Sequence, residues 1–232
     1  MDKSLCFIIP AYNEELSIPQ LVKEINDHFP KTTTIVINDC STDSTSKIAK
    51  DLGVVVLDLE NNLGIGGAVQ TGLRFASENH FEVAVQIDGD GQHIVSEVHK
   101  LLSEMFEKNA DYAIGSRWIV DYGFKSTFSR KIGIKLLSSL VSKKTKIKFT
   151  DVTSGFRAMN TSVLNILSAS YEKDFPEVSA IMTIAALNKK IIEVPIRMNE
   201  RLHGESSITR LKSIYYMTLE VITIFISRKP RS

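Results

Sequence analysis

The chain has 232 residues, of which 43% are hydrophobic and 24% charged, with 28 Lys and Arg against 27 Asp and Glu. Length and composition predict one large domain and exclude collagen-like, disulfide-stapled and intrinsically disordered proteins. Cys6 and Cys40 form no metal-binding pattern and favour a reducing compartment. The sequence also predicts no signal peptide, and no apolar run of about 18 residues that would span a membrane.

Five short apolar runs in the first half are predicted to be buried strands, because they lack strict alternation of polar and apolar residues. They are residues 5–9, 34–38, 54–58, 83–87 and 112–116. Amphipathic helices are predicted between them, ending near His28, Leu52, Asn79 and Asn109. Ser17 with Gln20 is typical of a capping box for the first helix, and Asp43 or Ser44 would cap the second. This alternation predicts right-handed βαβ units and an α/β protein with a mostly parallel sheet.

A basic segment over about residues 122–150 contains no acidic residue. Its eight basic residues are Lys125, Arg130, Lys131, Lys135, Lys143, Lys144, Lys146 and Lys148. The predicted helix over 127–142 adds the apolar residues Phe128, Ile132, Leu136, Leu137 and Leu140. This pattern predicts attachment to an anionic membrane surface, with a solvated basic helix as the alternative. Nucleic-acid binding fits less well, because no recognised motif is present and few aromatic residues could stack on bases.

The second half predicts a strand near 155–159, helices near 162–168 and 178–187, and a strand over 191–194. Together with the first half, these elements make one domain over 1–210. Residues 211–232 contain an apolar stretch that is too short to cross a bilayer. We predict that this segment is an amphipathic helix next to the membrane, or alternatively a helix that covers the sheet.

Polar clusters follow four of the predicted strands. They are residues 10–15, 38–43, 61–67 and 88–93. Asp, Asn, Ser and Gly are also ordinary turn residues, so each cluster alone has a structural explanation. The carboxyl ends of parallel strands meet at one edge of a sheet, where ligands bind. Four such clusters at one edge therefore favour a binding site.

The sequence Asp88-Gly89-Asp90 is the most specific of these clusters. Two carboxylates two residues apart at a strand end can bind one hard divalent cation, and Mg²⁺ typically takes its remaining ligands from substrate phosphate and water. An acidic turn is the structural alternative. Gly64 and Gly66 resemble a dinucleotide-binding fingerprint only in part, since Val69 stands where that pattern has Gly or Ala.

Together the clusters resemble glycosyltransferase family 2, in particular its polyprenyl-phosphate sugar synthases, over about residues 5–210. The motifs are residues 9–15, Asn38-Asp39-x-Ser41-x-Asp43, Asn62-x-Gly64-x-Gly66-x-Ala68, Asp88-x-Asp90-x-Gln92-His93, Gly115-Ser116-Arg117, Asp151-x-x-Ser154-Gly155-Phe156-Arg157, Glu193-Val194-Pro195 and Arg201-x-x-Gly204-x-Ser206. Asn38 stands where many members have an aspartate, which we expect to tune the pocket.

This resemblance implies a GT-A fold and a metal-dependent inverting transfer of a hexose or N-acetylhexosamine from a UDP- or GDP-sugar. The acceptor would be a polyprenyl phosphate at the cytoplasmic leaflet, for cell-envelope or glycoconjugate synthesis. The implied donor-binding residues are Pro10, Tyr12, Glu14, Asp39, Gly64, Gly66 and Arg201. Asp90 and Gln92 would hold Mg²⁺ or Mn²⁺, with Asp88 facing the donor beside them. Arg117, Arg130 and Ser206 would bind the acceptor phosphate, and Asp88, Asp90 and Arg117 would be catalytic.

Two further functions stay open at this point. A sugar hydroxyl as acceptor would need a carboxylate base, for which Asp174 and Glu177 are the candidates, although both also suit the first turn of a helix. The chain would otherwise be a non-catalytic nucleotide-sugar-binding subunit. We expect peripheral attachment to the membrane, with a small integral membrane protein or a second copy of the chain as candidate partners.

Overall fold

The computed structural model describes residues 4–120, 122–123, 127–172 and 176–199. In these ranges the strands are β1 (Leu5–Ala11), β2 (Thr33–Asn38), β3 (Val55–Asp58), β4 (Val83–Gln86), β5 (Tyr112–Ser116), β6 (Arg157–Asn160) and β7 (Ile191–Pro195). The helices are α1 (Ile18–His28), α2 (Thr45–Asp51), α3 (Gly64–Glu78), α4 (Glu97–Glu107), α5 (Phe128–Thr145), α6 (Thr161–Ala169) and α7 (Pro176–Ala186).

The strands form one seven-stranded sheet in the order β3-β2-β1-β4-β6-β5-β7, which confirms the predicted mostly parallel α/β fold. Only β6 is antiparallel to its neighbours, β4 and β5. The segment before β6 lies at the carboxyl edge of β5. Asp151 there pairs with Arg117, directly after the carboxyl end of β5. The chain therefore enters β6 from that edge and runs in the opposite direction.

Helices cover both faces of the sheet, so successive residues of the inner strands are all buried. On one face, Phe7 and Ile9 of β1 belong to a core with residues of α1, α2 and α4. On the other face, Cys6 and Ile8 belong to a core with residues of α3, α5, α6 and α7. Strands buried on both faces are expected to read as continuous apolar runs, as these do in the sequence.

The structure tests the predicted capping residues of α1 and α2. Ser17 precedes α1 in a helical conformation and its side chain makes no capping bond; its hydroxyl donates instead to Glu14 Oε2 at 3.2 Å. The predicted capping box is therefore wrong, because a cap needs an extended backbone at that position. At α2, the alternative with Asp43 is confirmed, since Asp43 Oδ1 accepts the Thr45 N–H at 2.9 Å.

Asn38 connects the ends of β2 and β3. Its Nδ2 donates to Asp58 Oδ1 at 2.8 Å, and its Oδ1 accepts the Ser41 N–H at 3.2 Å. The Asp58 carboxylate also pairs with Lys50, and these hydrogen bonds keep the pKa of Asp58 below its usual value. The amide at position 38 thus donates to a carboxylate that a second carboxylate would repel.

The variant Asn38→Asp is expected to lose about 1 kcal/mol of unfolding free energy at neutral pH, since it replaces a charge-assisted hydrogen bond by a partly solvated like-charge contact. Each carboxylate raises the pKa of the other in the folded state, so the loss should shrink as the pH falls through that raised pKa. Urea unfolding at neutral and mildly acidic pH measures both effects. Asn38→Asp combined with Asp58→Asn restores an amide–carboxylate pair and is the control; equal stability of all three proteins would contradict the prediction.

Candidate active site

The four polar clusters meet at the carboxyl edge of four adjacent strands, β3, β2, β1 and β4. Hydrogen bonds join the clusters that follow β1 and β2. The Asn13 N–H donates to Ser41 Oγ at 3.0 Å, and the Thr42 N–H donates to Asn13 Oδ1 at 2.8 Å. These contacts hold the two loops together, as expected for loops that line one pocket.

The predicted donor-binding residues occupy this edge. Pro10 is buried in β1, Glu14 is half-buried and Tyr12 exposes 48% of its surface. Asp39 is buried, and its two carboxylate oxygens accept the N–H groups of Leu63 and Gly64 at 2.7 and 2.9 Å. Asp39 therefore caps the start of α3. Each carboxylate oxygen can still accept a further bond.

Gly64 and Gly66 lie in the first turn of α3, beside this carboxylate. Gly64 has φ +75°, a backbone conformation that side chains other than those of Gly and Asn rarely adopt. The predicted role of both glycines in donor binding stays a prediction. The structure adds a structural role, because the Gly64 N–H binds Asp39.

The Asp88-Gly89-Asp90 loop follows β4. The Asp90 carboxylate is buried, and its Oδ1 accepts the Gln92 N–H at 3.0 Å. A Cβ atom at Gly89 would lie 3.1 Å from the Pro10 carbonyl oxygen, so the loop packs closely on the end of β1. Both carboxylates and the Gln92 amide therefore belong to one short loop beside the donor residues.

The donor atoms of this loop fit a hard divalent cation. Among the described residues, no group of three or more His, Cys, Asp and Glu side chains is arranged to hold a metal. A cation bound by Asp88, Asp90 and Gln92 would need more oxygen ligands from substrate or water, which is typical of Mg²⁺ sites. The chemistry of the loop thus agrees with a cation that binds together with a diphosphate.

His93 fixes the shape of this loop, a role that the motif did not reveal. Its Nδ1 accepts the Asp88 N–H at 2.9 Å, so its proton is on Nε2, 3.7 Å from Asp88 Oδ2. Burial lowers the pKa of His93 to about 4, which makes the ring neutral at neutral pH. The ring also stacks on Phe156, with centroids 5.0 Å apart. Its position five residues after Asp88 was the only signal available in the sequence.

Arg117 lies in a buried ion pair. Its Nε and Nη2 donate to the two oxygens of Asp151 at 2.6 and 2.7 Å, and Nη2 also donates to Thr153 Oγ1. The Arg117 and Asp151 side chains expose only 6% and 0% of their surfaces. Although burial opposes it, the Asp151 carboxylate raises the pKa of Arg117. The predicted role of Arg117 at the acceptor phosphate remains a prediction, and its guanidinium is already bound within the chain.

Glu193 holds the segment that carries Asp151. Its carboxylate accepts the N–H groups of Thr150 and Asp151, both at 2.7 Å, and the Thr150 hydroxyl at 2.8 Å. Burial raises the pKa of Glu193. Both acids stand in motifs visible in the sequence, yet the motifs do not indicate that Asp151 binds Arg117 or that Glu193 binds the segment that carries Asp151.

Glu177 is the one predicted base that the structure describes. It lies in the first turn of α7, half-buried. Burial raises the pKa of its carboxyl, Arg157 opposes that shift, and the negative charge of Asp88 adds to it. The other base candidate, Asp174, and the predicted ligands Arg201 and Ser206 lie outside the described residues, as does the Arg130 side chain.

The solvent-exposed face of α5 carries lysines and apolar side chains together. Ile132 and Leu136 expose 52% and 57% of their surfaces, and Lys131 and Lys135 beside them are exposed. Leu137, predicted to belong to the same apolar set, is instead only 2% exposed and packs in the core. Within the described ranges, no helix is both long and apolar enough to cross a membrane.

The fold is of the GT-A type, which is a glycosyltransferase fold. The family model of glycosyl transferase family 2 matches residues 6–167, and the chain belongs to this family.

Relatives in sequence and structure agree with that assignment. The chain is 34% identical to the UDP-N-acetylglucosamine–dolichyl-phosphate N-acetylglucosaminyltransferase of Methanococcus voltae, over 84% of this chain and 86% of the relative. It is 32% identical to the undecaprenyl-phosphate mannosyltransferase of Micrococcus luteus, over 87% of this chain and 86% of the relative. Among solved structures, glucosyl-3-phosphoglycerate synthase from Mycobacterium tuberculosis with Mn²⁺, UDP and phosphoglyceric acid superposes with a TM-score of 0.73 at 20% identity, over 100% of this chain and 81% of that chain.

Proposed function

We propose that this chain transfers a hexose or N-acetylhexosamine from a UDP- or GDP-sugar to a polyprenyl phosphate, with inversion at the anomeric carbon. The observation that carries the proposal is the Asp88–Asp90 loop, which lies at the same sheet edge as Asp39 and Tyr12. The two relatives just described carry names of transferases that act on dolichyl and undecaprenyl phosphates, which supports this class of acceptor.

The proposed chemistry follows from where charge develops. Breaking the bond between sugar and phosphate leaves negative charge on the nucleotide diphosphate. Asp90 and Gln92, with Asp88, would hold Mg²⁺ or Mn²⁺, which supplies positive charge to that leaving group when bound. Pro10, Tyr12, Glu14 and Asp39 would line the nucleotide pocket.

The acceptor side of the proposed site needs less chemistry from the protein. A phosphate monoester oxygen is already anionic near neutral pH and can attack without a general base. Arg117, Arg130 and Ser206 would orient the acceptor phosphate, and Arg201 would bind the donor diphosphate.

The test is a transfer assay with radiolabelled UDP- and GDP-sugars, Mn²⁺ and polyprenyl phosphate. Label from one donor should become extractable into organic solvent. Metal-dependent donor binding without transfer to this acceptor would contradict the proposal and favour a non-catalytic nucleotide-sugar-binding subunit.

A sugar hydroxyl on a lipid-linked glycan is the second candidate acceptor. The raised pKa of Glu177, to which the negative charge of Asp88 contributes, is the observation that favours it. A general base works best when its pKa approaches the working pH. Glu177→Gln distinguishes the two acceptors. Transfer to polyprenyl phosphate should survive the substitution, whereas transfer to a sugar hydroxyl should be abolished; Asp174→Asn makes the same test at the other candidate.

We also propose that the chain attaches peripherally to the inner face of the cell membrane, through α5 and residues 211–232, with the transferase domain over 1–210. The exposed Lys131, Ile132, Lys135 and Leu136 support this proposal. Each lysine near an anionic leaflet contributes about 1 kcal/mol, and the two apolar side chains can enter the interface. A small integral membrane protein or a second copy of the chain would be further partners.

The variant Leu136→Glu should weaken binding to anionic vesicles by about tenfold, because it removes an apolar contact and adds a repelled charge. Sedimentation with vesicles containing one third phosphatidylglycerol or none measures the loss, and raising the salt concentration should reduce binding of the unaltered chain as well. Leu187→Glu, at an exposed leucine after α7, is the matched control. Equal losses in both variants would contradict a specific role of α5.

A further inference from the structure

Residues 154–157 contact the Asp88 loop at two points. A Cβ atom at Gly155 would lie 2.9 Å from both carboxylate oxygens of Asp88, so the Gly155 main chain lies directly against that carboxylate. The Phe156 ring stacks on His93, whose Nδ1 accepts the Asp88 N–H. The orientation of Asp88 therefore depends on where residues 155 and 156 are held.

The Arg157 guanidinium binds the turn that carries these two residues. Its Nε donates to the Ser154 carbonyl oxygen at 2.7 Å, and its Nη2 donates to the Val152 carbonyl oxygen at 3.1 Å. Its Nη1 donates to the Tyr112 hydroxyl at 2.6 Å and to the Glu177 carbonyl oxygen at 3.0 Å. One planar group thus connects the turn to β5 and to the first turn of α7.

The burial of the Arg157 cation indicates that the arrangement of its hydrogen bonds has a specific role. Arg157 is 0% exposed, and no carboxylate of the described residues forms an ion pair with it; its four acceptors are all uncharged. The Glu177 carboxylate attracts this cation through charge alone, without a hydrogen bond between the two side chains. Burying a cation is unfavourable, and an apolar side chain of similar volume avoids that penalty. A lysine keeps the charge, yet its single ammonium group cannot reach the turn, β5 and α7 at once.

We infer that Arg157 is a positioning residue for Asp88, because it fixes the turn that places Gly155 against Asp88 and Phe156 against His93. This inference rests on the proposed function, in which Asp88 faces the donor sugar. The nucleotide would contact β1 and β2 instead, at Tyr12 and Asp39. Loss of Arg157 should therefore impair sugar transfer far more than nucleotide binding.

The experiment compares Arg157→Lys and Arg157→Met with Gly155→Ala, which pushes on Asp88 directly. Each variant should lower kcat at least about 30-fold while the Kd of the nucleoside diphosphate, measured without metal, changes less than about threefold. Tyr112→Phe is the matched control, because it removes a buried hydrogen bond from the same guanidinium and leaves the turn bound. Crystal structures of the variants should show Asp88 and Gly155 displaced.

Two results would overturn the inference. The first is an Arg157→Lys protein with at least half the original kcat and an unmoved Asp88. The second is a parallel loss of kcat, nucleotide affinity and thermal stability, which a merely structural role predicts. If Arg157→Lys does not fold, Arg157→Met, which carries no buried charge, gives the same readings. If the unaltered chain transfers no sugar to polyprenyl phosphate, the proposed function fails, whereas the positions of Asp88 and Gly155 in the variants still decide this inference.

Discussion

Replacing Asp90 by alanine is expected to lower sugar transfer at least about a thousand-fold, equivalent to about 4 kcal/mol of transition-state stabilisation. Asp90 is buried at the carboxyl end of β4, and its Oδ1 accepts the Gln92 N–H. Alanine would remove one proposed carboxylate ligand. It would also remove the hydrogen bond that holds Gln92, the second proposed ligand, in place. Neither Asp88 nor solvent can replace both contributions.

Calorimetry and the transfer assay measure this loss separately. Nucleoside diphosphate binding to Asp90→Ala should no longer strengthen when Mn²⁺ is added, whereas the unaltered chain should bind more tightly with the metal. Asp51→Ala, at an exposed carboxylate that ends α2, is the control and should keep both properties. A variant Asp90→Ala that retains more than about a tenth of the original transfer rate would show that this loop does not hold a catalytic cation.

The fold could be predicted because its strands are buried on both faces. Residues 35–37, for example, are three consecutive apolar residues, and residues 34–38 are all buried, whereas a half-exposed strand alternates polar and apolar residues. Once the strands were placed, the position of the site followed from the rule that parallel strands end at a common edge. Asp39, Gly64 and Asp90 lie at that edge for this reason.

Other features depended on contacts between distant parts of the chain. β6 is antiparallel to its neighbours, and the segment before it is held by the pairing of Arg117 with Asp151, 34 positions apart; local pattern contains no information about such a pair. The same is true of His93, whose role requires Phe156 as a neighbour. The prediction placed Leu137 on the membrane-facing side of α5, and this is wrong. Apolar residues of α5 occur on its exposed face as well as on its buried face, so their spacing does not identify the buried face.

Arg117 shows that a charged motif residue can have a structural role. An arginine next to a predicted acceptor site suggests a phosphate ligand when only the sequence is known. In the structure, Nε and Nη2 of its guanidinium bind Asp151, which in turn belongs to a segment held by Glu193. The contribution of Arg117 to stability and its proposed binding of the acceptor can therefore be tested separately, with a variant of the partner acid.

Asp151→Ala is expected to destabilise the fold by about 3–5 kcal/mol, because it leaves the buried Arg117 cation without its counterion. The pair is 6% and 0% exposed, so water cannot compensate for the missing carboxylate. Urea unfolding followed by circular dichroism measures the loss. Thr153→Val, which removes only a hydroxyl bound to the same guanidinium, should cost about 1 kcal/mol and serves as the control.

The double variant Arg117→Met with Asp151→Leu should regain most of the stability that Asp151→Ala loses. Replacing both charges of a buried pair with apolar groups of similar volume is often close to neutral for stability. Recovery of most of the lost stability would show that the damage in Asp151→Ala comes from the buried Arg117 cation that has lost the Asp151 carboxylate. If the refolded double variant also binds nucleotide normally but no longer transfers sugar, Arg117 has the proposed second role at the acceptor phosphate. Full transfer activity in that protein would restrict Arg117 to holding the segment before β6.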